Sequence, residues 1–157
     1  MRKVEKNIFL DTTFVSFMLS CRDKRHDIAN QYFKYWVEHG VLMYISSIVL
    51  SELLAKAESL PTEIARHVRV LPYTVEDAQK AGILWRSRGG DRLDNQNKTL
   101  FKDDIKIIGH AIRIRSWGLA HGDIKTMHKY ICDAISNNLC PKNFRSILIS
   151  DGFDECL

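Results

Sequence analysis

Hydrophobic positions along this chain come in two textures. Short, nearly continuous apolar runs fall at residues 7–10, 41–46, 68–72 and 145–150, bounded by polar residues or turn formers, as buried strands are. Between them, apolar residues recur at helical spacing. Phe14, Phe17 and Met18 share one side of 13–19; Ile28, Tyr32, Tyr35 and Trp36 share one side of 25–39, where Gly40 stops the helix. Ser46 or Ser47 caps a helix within 48–60 that ends before Pro61. Thr74 caps another over 75–88. Residues 89–102 are the most polar stretch and read as an exposed loop. A helix then starts at Asp103 or Asp104, 117–122 make a short strand, and 124–138 a further helix.

Strands thus alternate with helices along the whole chain. That order predicts parallel strands joined by crossover helices: an α/β protein, a three-layer α/β/α sandwich with a central, mainly parallel sheet of about five strands. The 157 residues read as a single domain, 1–157, without internal repeats or low-complexity tracts.

Composition narrows this only a little. The net charge of +4 permits a polyanionic partner without demanding one. The four cysteines, Cys21, Cys132, Cys140 and Cys156, form no C-x-x-C pair and no zinc-type spacing, so they read as reduced, mostly structural thiols. No apolar stretch reaches the ~18 residues of a membrane span. The basic N-terminus is followed by an apolar run broken at Asp11, which argues against a signal peptide and for a cytoplasmic protein.

The chemistry concentrates in carboxylates at the ends of elements. In an open parallel sheet, ligands bind outside the carboxyl ends of the strands. Asp11 closes the first strand. Glu52 interrupts the otherwise apolar run after the second. Asp104 opens a helix, and Asp123 follows the short strand at 117–122. Four acids in one pocket repel, and several would take up protons unless cations joined them. Hard divalent ions with oxygen ligands, Mg2+ or Mn2+, are the natural partners, and they suit phosphoryl chemistry. Each acid also has a plain alternative as a helix cap.

Four segments carry a family resemblance. "IFLDTTFVSFML" resembles the first motif of the PIN-domain ribonucleases, a strand ending in Asp before a small hydroxyl residue. "YISSIVLSELL" resembles the second, with its Glu in the helix after strand two. "DDIKIIGHA" resembles the third, as Asp104, Ile107 and Ala111 in D-x-x-I-x-x-x-A. "AHGDIKTMHKY" resembles the fourth, although His121 stands where Thr or Ser is usual two residues before the Asp. The resemblance spans roughly residues 7–150. It implies metal-dependent cleavage of RNA to 5′-phosphate and 3′-hydroxyl ends, with Asp11, Glu52, Asp104 and Asp123 as metal-binding catalytic residues. It also implies a homodimer and, as in small VapC-type toxins, a cognate antitoxin covering the site. Asp151, after "RSILIS", is the competing choice for the fourth acid, and Asp103 is a capping or supporting neighbour.

Other residues fit around this set. Thr12 and Ser47 can bond an acid or serve turns and caps. His121 lacks a visible partner for acid catalysis, and His110 in an apolar helix reads as a core residue. Arg86, Arg88, Arg92, Arg113 and Arg115 can meet phosphates, and Trp85 and Phe101 can stack on unpaired bases. Rival readings are weaker. A haloacid-dehalogenase-type phosphatase needs a second Asp where Thr13 stands, and a phosphoacceptor domain usually pairs two acids at the first strand. A catalytically inactive PIN-fold scaffold for RNA or a protein partner remains the alternative.

Overall fold

The computed structural model describes residues 6–87, 95–122 and 127–154, without the side chains of 95–101. Five strands form one parallel sheet. The first, β1 (Asn7–Leu10), lies at its centre between β2 (Leu42–Ser46) and β4 (Gly118–His121). β3 (Val68–Leu71) extends the sheet beyond β2, and β5 (Arg145–Leu148) extends it beyond β4. The order is therefore β3-β2-β1-β4-β5. Phe9 sits opposite Tyr44 on one side and Leu119 on the other, and these central strands read as continuous apolar runs because both faces are covered.

Seven α-helices fill the connections among the described residues: α1 (Thr12–Leu19) and α2 (His26–Glu38) before β2, α3 (Ser47–Leu54) and α4 (Thr62–His67) before β3, α5 (Val75–Ser87) and α6 (Asn95–Arg113) before β4, and α7 (Lys129–Ser136) before β5. Crossovers between parallel strands are right-handed, so a chain that adds strands one way and then returns across β1 must place its helices on opposite faces. Aromatic contacts agree: Phe14 of α1 meets Trp36 of α2 on one face at 5.6 Å, and His110 of α6 meets Phe9 of β1 on the other at 5.0 Å. Ile8, Leu10, Trp36, Ile45, Ile108, Leu119 and Ile147 are buried between the layers. The reversal of direction between β1 and β4 opens a crevice at the carboxyl edge, the usual ligand position in such sheets. No helix among the described residues is long and apolar enough to cross a membrane.

Three elements depart from the sequence pattern. The helix expected over 48–60 stops at Leu54, and α4 begins immediately after Pro61, whose fixed φ suits a helix start. The polar stretch 89–102 is partly helical, since α6 begins at Asn95; once a helix exists, each added residue gains a hydrogen bond at little cost, whatever its polarity. The last strand ends at Leu148, and Ile149–Asp151 form a 3-10 turn.

β4 is short, and a close approach sets it against β5. A methyl group on Gly118 would stand 2.7 Å from the carbonyl oxygen of Arg145, which is backbone and has no room to give. Gly118→Ala is expected to destabilise the fold by about 2 kcal/mol, lowering Tm by roughly 4–8 °C in a thermal melt. An unchanged Tm would show that the β4–β5 pairing relaxes freely.

Candidate active site

Asp11 stands in the crevice at the end of β1. Its amide donates to the carbonyl of Ala120 on β4 at 3.0 Å, so the strand pairing itself sets its position. Its side chain caps α1, accepting from the Thr13 amide at 3.2 Å and the Thr13 hydroxyl at 2.7 Å. The same Thr13 oxygen accepts from the Gly122 amide at 2.9 Å, tying the carboxylate to the segment leaving β4. Asp11 is only 4% exposed. Burial raises its carboxyl pKa above the usual carboxylate value, more than the bonds from Thr13 and Thr12 lower it, and the charge of Glu52 adds to the rise. Ser46 caps α3, its oxygen accepting from the Ile48 amide at 3.2 Å, and α3 carries Glu52 to the edge. There the Thr12 hydroxyl donates to Oε2 of Glu52. The two threonines after Asp11 thus serve two different acids.

Asp104 is placed differently from expectation. It lies about halfway along α6, not at its N-terminus, because α6 starts at Asn95. Its position along the axis still suits the edge. The chain leaving α6 bonds the start of β1, where the Trp117 amide donates to Asn7 at 3.0 Å, so α6 descends towards the amino edge. Asp104 precedes His110, whose ring lies tilted against Phe9, by six residues or roughly 9 Å of helix on the carboxyl side. Asp123 lies outside the described residues. Among the described residues, no three His, Cys, Asp or Glu side chains group closely enough to hold one metal ion.

The neighbouring candidates have contacts of their own. Asp103 pairs with Lys106 at 3.1 Å. Asp151 is exposed in the 3-10 turn and helps, after burial and Asp154, to push the Tyr32 phenol up. Ser47 accepts from the Tyr73 amide at 2.9 Å, which is turn chemistry. His121 is fully buried and meets the Ser146 hydroxyl at 2.6 Å.

Behind the crevice lies a buried polar network that the sequence pattern does not announce. Thr74 and Asp77 form a reciprocal capping box at the start of α5: the Thr74 amide donates to Asp77 at 2.8 Å, and the Asp77 amide donates to Thr74 Oγ1 at 3.4 Å. Arg113 of α6 donates from Nε to the same carboxylate. His110 bridges to β2, with Nδ1 3.0 Å from the Ser46 hydroxyl and Nε2 3.5 Å from Asp77. Burial opposes ionisation of Asp77, but Arg113, Thr74 and His110 outweigh it and hold the carboxyl below its usual value. Burial also keeps His110 low, partly offset by Asp77. Arg113, a candidate phosphate contact by sequence, is therefore paired with a buried carboxylate while its own side chain stays partly exposed. Arg88 and Arg92 and the Phe101 side chain lie outside the described residues. Trp85 is part-buried in a groove of about 260 Å³ between α5 and α6, with Tyr73, Ile105, Lys102 and Lys106 around it, and Lys102 stands over its ring at 5.4 Å.

No protein-family model matches the sequence, and no curated protein matches it. Solved structures do resemble the fold. VapBC2 from Rickettsia felis, bound to a DNA fragment from its promoter, superposes with a TM-score of 0.59 at 16% identity, over 89% of this chain and 98% of that one. DNA-bound VapBC from Salmonella typhimurium gives 0.55 at 21% identity, over 92% and 98%. VapC20 of Mycobacterium tuberculosis, a sarcin-ricin loop cleaving toxin, gives 0.52 at 22% identity, over 76% and 92%.

The chain has a VapC-type PIN-domain fold.

On this PIN fold, the strand order places Asp11 and Glu52 together at the carboxyl edge, as the motifs implied. What sequence reasoning missed is the support around them. Thr13 fixes Asp11 to β4, and its signal was the D-T-T triplet, in which two hydroxyls directly follow an N-cap. The cap that Asp77 makes with Thr74 had a local signal as well, the T-x-x-D spacing, but its pairing with His110 and Arg113 had none.

Proposed function

We propose that this chain is a metal-dependent endoribonuclease that hydrolyses RNA phosphodiester bonds, and that it is the toxin of a toxin–antitoxin pair. Asp11 carries the reading: a carboxylate buried at the switch point of the sheet beside Glu52, with burial opposing its ionisation. Such a pair of oxygen donors suits a hard divalent cation, which favours the charged forms that burial disfavours. Asp11, Glu52, Asp104 and Asp123 would hold Mg2+ or Mn2+. Bound there, the ion would lower the pKa of water and offset negative charge at the phosphate.

The chain's own residues supply the rest. Thr13 and Thr12 orient the two acids, so that little rearrangement is needed when substrate arrives. Lys102 and Lys106 flank an aromatic groove able to take an unpaired base with its phosphate. Water adds to phosphorus and the bond to the 3′ oxygen breaks, leaving 3′-hydroxyl and 5′-phosphate ends. Proteins of similar fold support these partners: a sarcin-ricin loop cleaving toxin for RNA, and VapBC assemblies for an antitoxin. A homodimer belongs to the same reading, with the exposed Val75 and Ile83 of α5 as surface for it.

The test is cleavage of an end-labelled structured RNA. Cutting is expected with Mg2+ or Mn2+ and is expected to disappear with EDTA and return on adding excess metal. Inertness towards several RNAs, together with no divalent binding by calorimetry, would favour the inactive scaffold.

A further inference from the structure

We infer a second metal site on this chain, for a borderline-soft divalent cation such as zinc, made by His128 and Cys132 at the start of α7. The Cys132 sulfur lies 3.8 Å from Nε2 of His128. Bonds of ~2.3 Å to sulfur and ~2.0 Å to nitrogen in a tetrahedral site set two such atoms roughly 3.5 Å apart. The pair needs to close by only a few tenths of an ångström. Their i, i+4 spacing on one helical face keeps them together.

The imidazole is already aimed. Its other nitrogen, Nδ1, lies 2.9 Å from the Ser146 hydroxyl, and Ser146 in turn meets Nε2 of the fully buried His121 at 2.6 Å. Metal-ligating histidines are held through their second nitrogen in this way, which fixes ring orientation and tautomer. With Nε2 turned to a cation, Nδ1 keeps the proton and donates to Ser146, whose own hydroxyl proton goes to His121. The same tautomer holds without metal, when the Cys132 thiol donates to Nε2. A cation therefore replaces one proton: the S–H bond breaks, sulfur and Nε2 each give a lone pair to the metal, and the proton leaves to solvent. Water fills the remaining positions.

Exposure supports the choice of sulfur. Cys132 is exposed and open to an incoming ion, whereas Cys140 is buried and its thiol is pushed up to about 11. The ligands are sulfur and nitrogen, and none belongs to the acid set in the crevice. The site stands whether or not the nuclease reading does.

Cobalt is the probe, because a thiolate ligand gives Co2+ a near-ultraviolet charge-transfer band that carboxylates do not give. The whole chain is expected to show this band at one cobalt per protein, with zinc displacing it. Asp11→Asn and Cys21→Ser are expected to keep the band, and Cys132→Ser to lose it. Ser146→Ala is expected to weaken cobalt binding by about tenfold, the usual cost of losing the group behind a ligating histidine. Circular dichroism checks that each variant is folded. A wild-type protein without the band in excess cobalt, or a band that survives in folded Cys132→Ser, overturns the site.

Discussion

Asp11→Asn is expected to abolish RNA cleavage, by roughly 10³-fold or more if its charge acts at the reacting phosphate, and to make the metal-free protein more stable at neutral pH. Both effects come from one carboxylate. In the unfolded chain Asp11 titrates near its ordinary value of 3.8; in the fold, burial raises it. Between those two values the folded protein holds a proton that the unfolded chain does not. Its contribution to stability is therefore complete below the ordinary value and declines as pH rises through the folded one. Asparagine keeps an oxygen for the Thr13 amide and hydroxyl but carries no charge, so that decline disappears. Thermal melts at pH 4 and pH 7.5 separate the cases. The variant's advantage in Tm over the wild type should be larger at the higher pH than at pH 4, and Mg2+ should narrow it there by stabilising the wild type alone. A variant with wild-type pH dependence would place the buried charge elsewhere.

Asp77→Ala is expected to be the most damaging single change away from the crevice. It removes the capping box of α5, the ion pair with Arg113 and the carboxylate facing His110. Arg113 is partly exposed, so the loss is that of the cap and of the buried carboxylate's hydrogen bonds, about 2–3 kcal/mol, which corresponds to a Tm lower by roughly 4–12 °C in a chain of this size. An acid sensitivity should accompany it. His110 titrates below its ordinary value of 6.5, so its neutral form supports the fold above that value, and the support is lost as pH falls through the folded value. Asp77 partly holds that value up; without it, loss of charge balance around His110 makes the neutral form more strongly preferred and the acid limb steeper. Urea denaturation at pH 7 and pH 5 measures both. A loss below 1 kcal/mol at pH 7 would show that Thr74 and Arg113 find other partners.

The central strands were legible because a parallel sheet covered on both faces leaves continuous apolar runs, and all five strands appear near their expected places. Asp11 and Glu52 were legible for a related reason: each is a charge set in apolar sequence at a strand exit. The path of residues 89–102 was not, because polar residues that extend an existing helix show no periodicity, and so Asp104 was placed at a helix start it does not occupy. α4 was hidden by its six residues, too few to show a period. The Ser46–His110–Asp77–Arg113 network was invisible for a deeper reason. Its members come from β2, α6 and α5, and only the crossover from β3 to β4 brings them together.

The position of β1 bears on how the protein is born. Of the five strands, the one that comes first in chain order is the middle one of the sheet, and its partner β4 follows more than a hundred residues later. The Asp11 amide waits for Ala120, and Thr13 waits for Gly122. Such late, non-local pairings are slow to close. A nascent chain that has paired β1, β2 and β3 still lacks the half of the crevice that holds its central acid, so a protein whose proposed target is RNA remains unassembled at that edge until β4 and the segment leaving it have been made.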